Sequence, residues 1–235
     1  MKKHSYTIIA LLVLAGPLAM SFDSKVFFFQ YIIPVLLSTF FIGAVYILWD
    51  VIVTRQGHWA FNDEFVGEKR ILHLPLGEWL FFLCVPYATL FIFEVMEAYF
   101  GPGRPQPELW WIQALASLPF FGLVYPFRHR GYTRLAMGAA GAFMLVSAVL
   151  APGLIFSHTF WLFMLFSFLA FAVVNGIYCS LPTIRYSPTA TTGIRIGTIP
   201  VEDFVYNLSY LGLTLAVYIP LKFLLGLEGG WSWIW

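Results

Sequence analysis

The most constraining feature of the sequence is a long stretch without charge: no Asp, Glu, Lys or Arg lies between Leu135 and Ile184. A single crossing of a lipid bilayer needs roughly 20 apolar residues, so this stretch is too long for one helix. Ala151-Pro152-Gly153 supplies a turn that divides it into two. Only 11% of the whole chain is charged, against about 25% in average soluble proteins. The sequence therefore predicts an integral membrane protein built of helices.

The same criterion predicts seven membrane-spanning helices and no strands. We expect the first to be an uncleaved helix, because Ala15-Gly16-Pro17 places proline where a signal peptide would be cut. Pro119 and Pro126 shorten the fourth segment. The seven segments are Tyr6–Phe22, Phe27–Val53, Leu76–Tyr99, Leu109–Phe127, Leu135–Leu150, Leu154–Leu181 and Ile199–Leu225.

Basic residues divide unevenly between the two sides that this count predicts. Lys25, Arg104 and Lys222 fall on one side, and the remainder of the 13 Lys and Arg residues fall on the other. Loops rich in Lys and Arg stay in the cytoplasm. We therefore expect a multi-pass protein of the cell membrane with a cytoplasmic N-terminus and an external C-terminus. The cytoplasmic set is Lys2, Lys3, Arg55, Lys69, Arg70, Arg128, Arg130, Arg134, Arg185 and Arg195.

A short motif occurs once in each half of the chain. Pro75-Leu76-Gly77-Glu78 and Pro200-Val201-Glu202-Asp203 each begin a long apolar segment. Proline suits the first turn of a helix, and an acidic residue there faces the positive end of the helix dipole. The motifs begin spans three and seven, so these two helices run in the same direction. This predicts two parallel repeats, in residues 1–100 and 133–235, joined by a connector in residues 101–132 that carries span four.

The sequence lacks the motifs of several common types of chemistry. It has no Gly-x-Gly-x-x-Gly after a strand, no P-loop and no His-Glu-x-x-His. The histidines and cysteines lack metal-binding spacing, and a net charge of +1 gives no reason to expect nucleic acid. We therefore expect neither metal nor cofactor. Acidic groups and abundant aromatic rings in an apolar setting suit chemistry that begins with protonation and proceeds through a carbocation.

Further residues in chain order resemble a known family. The first half has Trp49-Asp50, Trp59-Ala60-Phe61-Asn62, Val85-Pro86-Tyr87 and Phe93-Glu94 around its motif. The second half has Val174-Asn175-Gly176, Arg185-Tyr186, Arg195 and Tyr206 around its own. Together they resemble the small integral-membrane lycopene cyclases, which occur as two-subunit bacterial enzymes and as fused archaeal and fungal forms. The resemblance implies an intramolecular lyase (isomerase) of carotenoid biosynthesis that cyclises lycopene or a related linear carotene without a cofactor.

The resemblance also implies which residues form the site. The family has Pro-x-Glu-(Glu or Gln) in each repeat, but Gly77 replaces the first glutamate here, whereas Glu202 retains it. We therefore expect Glu202 to carry most of the chemistry, with Asp203 beside it sharing a proton and Glu78 across the mouth of the cavity. The residues expected to bind substrate or support the site are Asp50, Asn62, Tyr87, Glu94, Asn175, Arg195 and Tyr206.

Other functions remain open at this point. Another carotenoid-modifying membrane enzyme, such as a hydratase, would use the same acid chemistry, and a non-catalytic membrane transporter or binding protein could be built from parallel repeats. A retinal-binding receptor is disfavoured, because Lys222 lies near the end of its helix rather than at mid-membrane. The expected partners are a linear carotene and the lipid bilayer, and the sequence is compatible with a homo-oligomer.

Overall fold

A computed structural model describes residues 2–227 of the chain and shows a helical bundle. Five helices are long and apolar enough to cross a membrane: α2, which continues a 3-10 turn from Phe28, and α4, α7, α8 and α9. A mostly helical multi-pass membrane protein is therefore supported. The helices are α1 (Ser5–Met20), α2 (Ile32–Arg55), α3 (Asp63–Val66), α4 (Leu76–Phe100), α5 (Trp110–Leu115), α6 (Ser117–Val124), α7 (Gly131–Leu150), α8 (His158–Ser180) and α9 (Val201–Leu224).

The other two predicted spans take a different form. The first is the apolar helix α1, which has only 16 residues. The fourth is divided into α5 and α6 at Ala116. In a continuous helix the Pro119 ring would clash with the Leu115 carbonyl and leave it without an N–H partner, so the helix is interrupted between these residues and Pro119 falls in the first turn of α6. Seven spans therefore remain a prediction, and the expected external C-terminus lies outside the described residues.

The expectation of no strands was wrong, because short strands order the loops at one end of the bundle. β1 (Trp59–Phe61) follows α2 and pairs antiparallel with β4 (Ile184–Tyr186), which follows α8. The other strands form two hairpins, and each ends at a motif proline. Their pairing satisfies backbone groups that would otherwise lack partners at the edge of the bundle. The hairpin strands are β2 (Arg70–Ile71), β3 (Leu74–Pro75), β5 (Arg195–Ile196) and β6 (Ile199–Pro200).

The helices of the two halves are packed into one another. Within each half, the first helix packs on the motif helix, α1 on α4 and α7 on α9. Between the halves, α2 packs on α9 and α8 packs on α4. Tyr46 of α2 donates a hydrogen bond to Ser209 of α9 at 2.7 Å. The Tyr210 hydroxyl of α9 donates to the Phe82 carbonyl of α4 at 3.1 Å. The motif helices α4 and α9 therefore lie at the centre of the bundle.

A buried ion pair joins these two helices at the end opposite the motif prolines. Lys222 Nζ of α9 lies 2.6 Å from Glu94 Oε1 of α4, and each side chain is only 6% exposed. Tyr218 also donates to Glu94 Oε1 at 2.8 Å, and the lysine lies 4.0 Å from the centre of the Tyr31 ring. Glu94 is about 24 Å along the helix axis from Glu78. The pair therefore holds the far ends of α4 and α9 together.

Candidate active site

The first half of the chain contributes a buried pair of carboxyl groups. Glu78 lies in the first turn of α4 and is 5% exposed, and Asp50, near the end of α2, is 2% exposed. Their side chains are hydrogen bonded to each other. The Tyr6 hydroxyl of α1 donates to Glu78 Oε2 at 2.5 Å. A hydrogen bond between two carboxyl groups requires a proton on one of them, so this pair can store a proton.

The second half contributes a carboxyl group surrounded by neutral donors. Tyr132 Oη of α7 donates to Asp203 Oδ1 at 2.7 Å. Asn175 Nδ2 of α8 and Tyr186 Oη of β4 donate to Oδ2 at 2.8 Å and 2.7 Å. Burial and the neighbouring Asp203 raise the pKa of Tyr186 well above its ordinary value, so its hydroxyl keeps its proton. Three hydrogen bonds to the carboxylate favour its ionised form.

The two carboxyl sites have the same plan with one substitution. In each site, the acidic residue three positions after the motif proline has two comparable partners. One is a tyrosine near the start of the first helix of that half, and the other is a side chain near the end of the second helix. The second of these side chains is Asp50 in the first half and Asn175 in the second. A carboxyl group can share a proton with its partner, whereas a neutral amide can only donate to it. The first site is therefore suited to hold a proton and the second to hold a negative charge.

Both sites open into one cavity. Its volume is ≈ 50 Å³, and Asp50, Glu78 and Asp203 all line it. Tyr206 Oη donates a hydrogen bond to Asp50 Oδ1 at 3.4 Å. Aromatic rings form much of the remaining wall. The other residues that line the cavity are Tyr6, Trp59, Phe81, Tyr132, Phe171, Asn175, Ile184, Tyr186 and Asn207.

Glu202 takes a different position from its neighbour Asp203. It is completely buried and is absent from the residues that line the cavity. Its Oε1 accepts hydrogen bonds from Thr133 Oγ1 at 2.7 Å and from the backbone N and Oγ1 of Thr192 at 2.6 Å and 2.8 Å. These bonds attach the loop before β5 to α7 and α9. The contacts therefore give no support to a proton shared between Glu202 and Asp203.

Gly77, which corresponds to Glu202 in the first half, faces the Tyr6 ring. A Cβ atom at this position would overlap Cδ1 of that ring. The space that a glutamate would need is thus occupied by the tyrosine that binds Glu78. The departure from the family motif at position 77 is consequently matched by the packing of α1 against α4.

Four other predicted site residues lie away from the cavity lining. Asn62 caps α3 by accepting a hydrogen bond from the Glu64 backbone N at 3.3 Å. The Tyr87 hydroxyl bonds with Ser21 Oγ at 2.6 Å. Arg195 is exposed and donates to the Thr198 carbonyl at 2.6 Å, and Glu94 is held by Lys222 at the far end. The structure brings together Asp50, Glu78, Asn175, Asp203 and Tyr206, and it does not bring these four to them.

The sequence alone assigns no role to Tyr6, Tyr132 or Tyr186, although each binds a carboxyl group of the site. Tyr6 and Tyr132 each lie near the start of a predicted repeat, and aligning the repeats on the motif prolines pairs them to within one residue. That alignment was a usable signal. Tyr186 was part of a family motif without a role, and Asn207 lies one helical turn after Asp203. In the described range 2–227, no group of three or more His, Cys, Asp or Glu side chains is placed to hold a metal ion.

Comparison with known proteins identifies one family. A family model described as lycopene cyclase matches residues 3–96 and residues 129–220. The two matched stretches cover the two halves in which Glu78 and Asp203 occur, and they leave out α5 and α6. No curated protein and no solved structure matches the chain.

Proposed function

Because this chain belongs to the lycopene cyclase family, we propose that it cyclises the ends of a linear carotene, such as lycopene, by acid catalysis within the membrane. The family supports carotenoid cyclase function in general. The observation that carries the finer proposal is the meeting of Asp50, Glu78 and Asp203 in one cavity of a membrane bundle. The reaction is an isomerisation, because the carotene gains one proton and later loses a different one.

The Asp50–Glu78 pair is the proposed acid. One carboxyl group of the pair carries a proton, and Tyr6 holds Oε2 of Glu78 in place. Transfer of this proton to the terminal C=C of the carotene leaves a tertiary cation and an anionic carboxyl pair. The cation is attacked by a neighbouring double bond of the same molecule, and a six-membered ring closes. General acid catalysis of this kind typically contributes about 10²–10⁴ in rate.

Asp203 is the proposed stabiliser of the cation. Its three donors favour the negative form, and it lines the same cavity as the acid pair. A negative charge placed in advance where positive charge develops stabilises the transition state. The Trp59 and Tyr206 rings in the wall can stabilise the cation through their faces. Loss of a ring proton to a carboxylate, either Asp203 or the emptied acid pair, then gives the cyclic product.

Glu202 is proposed to position the site. Its hydrogen bonds to Thr133 and Thr192 fasten the start of α7, and the residue before Thr133 is Tyr132. The backbone N–H groups of Tyr132 and Thr133 both donate to the Ala190 carbonyl in the same loop. The glutamate thereby holds Tyr132 in reach of Asp203. This role differs from the leading role that the sequence alone suggested for Glu202.

The membrane arrangement is also a proposal. We infer seven spans, with repeats in residues 1–100 and 133–235 and a connector in residues 101–132, and a cytoplasmic N-terminus. The pairing of β1 with β4 puts the loops after α2 and α8 at one end of the bundle. Lys3 lies 2.6 Å from Glu68, which brings the N-terminal residues to the same end. These contacts support the placement of the predicted basic loops on a single side.

Expression in cells that accumulate lycopene tests the proposal. The expected result is a new carotene with the mass of lycopene and a shorter conjugated system, separated by pigment chromatography. Protein carrying Glu78→Gln, inserted at the same level, is the matched control and should leave lycopene unchanged. A product heavier by one water would instead indicate a hydratase. Unchanged lycopene with well-inserted wild-type protein would contradict the proposed activity.

A further inference from the structure

A second cavity adjoins the acid cavity and extends from it into the apolar part of the bundle. It also has a volume of ≈ 50 Å³, and α4 and α8 supply most of its wall. Phe81, Phe171, Asn175 and Asn207 line both cavities. We refer to this second cavity as the slot. The four shared residues form the junction at which the acid groups meet the slot.

The slot has the shape of an elongated cleft. Its lining runs from Phe81 to Ile92 on α4 and from Ser167 to Tyr178 on α8, which is about 16 Å along each helix. Small side chains leave room between the helices, notably Ala88 on α4 and Ala170 on α8. This length is about half of the ~30 Å hydrocarbon core of a bilayer. The slot therefore has the length for one part of an extended hydrocarbon chain but not for a whole long carotene, and its volume of ≈ 50 Å³ requires the side chains between α4 and α8 to move apart when the chain enters.

The slot reaches the surface of the bundle. Ala170 is exposed, whereas Ala88 is only 7% and Ser167 only 1% exposed. Ala170 lies in the middle of α8, one of the helices apolar enough to cross a membrane. The open side of the slot consequently faces the hydrocarbon of the bilayer. A molecule dissolved among the lipid tails can enter here without passing through water.

We propose that the slot binds the polyene arm of the carotene and guides its terminal double bond past the junction to the acid pair. This inference rests on the proposed cyclase function and adds the place where the substrate lies. A methyl-branched hydrocarbon chain suits an apolar cleft of this kind, since its binding needs buried area rather than hydrogen bonds. The other half of the carotene remains in the lipid.

One consequence concerns the order of events. Both carboxyl sites open into the same cavity, and the slot adjoins that cavity. A carotene bound in the slot presents one end to the acid groups and keeps the other far away. Formation of two rings therefore requires release of a one-ring carotene and its return in the reverse orientation.

A larger apolar groove elsewhere on the bundle provides a control site for testing the slot. This outer groove, between α2 and α4, has a volume of ≈ 640 Å³ and is lined by residues such as Ala44, Phe82 and Leu83. None of its lining residues also lines the acid cavity or the slot. A carotene held there would share no wall with the cavity that contains Asp50, Glu78 and Asp203. The outer groove is therefore the natural control site.

The test fills the slot and the outer groove separately. Ala88→Leu narrows the inner part of the slot, Ala170→Phe covers its opening, and Ala44→Leu adds the control bulk to the outer groove. For each detergent-purified variant, the lycopene retained by the protein is measured by absorbance, and KM and kcat for lycopene are measured in micelles. We expect both slot variants to retain little lycopene and to raise KM by about tenfold or more with a smaller change in kcat. Ala44→Leu should behave as wild type.

The possible results separate the two proposals. If wild-type protein retains lycopene without forming rings, and the slot variants lose that retention, the proposed cyclase function is contradicted and carotene binding in the slot is supported. If wild-type protein forms rings, and both slot variants keep wild-type retention and KM, the slot is overturned. If Ala44→Leu alone loses lycopene retention, the carotene binds in the outer groove, and the slot proposal is overturned. Ala170 is exposed, so its variant keeps the test valid even if Ala88→Leu does not fold.

Discussion

The ring of Tyr6 occupies the volume that a side chain at position 77 would need. Replacing Gly77 by alanine should therefore push α1 away from α4, and overpacking of this kind destabilises by about 1–3 kcal/mol. Gly138→Ala is the matched control, because a Cβ atom there meets open space. Thermal unfolding in detergent measures both variants. A Gly77→Ala protein as stable as Gly138→Ala would show that α1 adjusts freely at this contact.

The two motif glutamates should respond differently to the same change. Glu78→Gln removes an acid from the cavity and should lower kcat by about 10²–10⁴. Glu202→Gln keeps an acceptor for Thr133 and Thr192, so we expect a loss of less than about tenfold, comparable to one weakened hydrogen bond. Steady-state cyclisation of lycopene in micelles gives both values. A larger loss for Glu202→Gln would restore the leading role that the family motif suggests.

Exchange of the partner side chains tests which half donates the proton. Asp50→Asn turns the first site into a copy of the second and should reduce kcat about as strongly as Glu78→Gln. Combining it with Asn175→Asp moves the carboxyl pair to Asp203, and we expect part of the activity to return. We measure kcat of both variants and expect the double variant to turn over faster than Asp50→Asn alone. Wild-type activity in Asp50→Asn would show that Glu78 needs no second carboxyl group.

The ion pair between Glu94 and Lys222 should matter for stability rather than for chemistry. Lys222→Met leaves a buried carboxylate without its partner, which typically destabilises by about 3–5 kcal/mol. The double variant Glu94→Leu with Lys222→Met removes both charges and should recover most of the loss. Unfolding temperature and kcat are measured together. A fall in kcat at full stability in either variant would place this pair in the reaction instead.

Reporter fusions test the membrane topology. A reporter after Gly103, which follows α4, should give an external signal, and one after Arg130, which precedes α7, a cytoplasmic signal. The intervening residues include α5 and α6, so opposite signals mean that this broken segment crosses the membrane. Equal signals at the two positions would show that this segment does not cross the membrane. The two halves would then not be parallel, and the predicted topology would be wrong.

The sequence predicted the helices better than it predicted the site. Segments of apolar residues fix where helices form, and α2, α4, α7, α8 and α9 each overlap a predicted span, although α7 begins at Gly131 rather than at Leu135. The proline and acidic residues of the motifs also predicted helix starts, and α4 begins at Leu76 and α9 at Val201, each directly after its proline. Short strands were not foreseen, since two or three residues carry no detectable period.

The direction of each acidic side chain was beyond sequence reasoning. Glu202 and Asp203 are neighbours in the chain, but adjacent positions on a helix point about 100° apart. Asp203 faces Tyr132 and Asn175 whereas Glu202 faces Thr133 and Thr192, and this difference is decided by packing between distant segments. Glu94 and Tyr87 were grouped with the site by motif order, although both lie too far along α4 to reach it.

The packing of helices from one half against helices of the other also determines when the protein can fold during synthesis. The first half leaves the ribosome with α4 lacking its neighbour α8 and α2 lacking its neighbour α9. Translation proceeds at about 5–20 residues per second, so this interval lasts on the order of ten seconds. During that time strand β1 has no β4 to pair with. The packing of the first half is therefore completed only after α8 and α9 have been made.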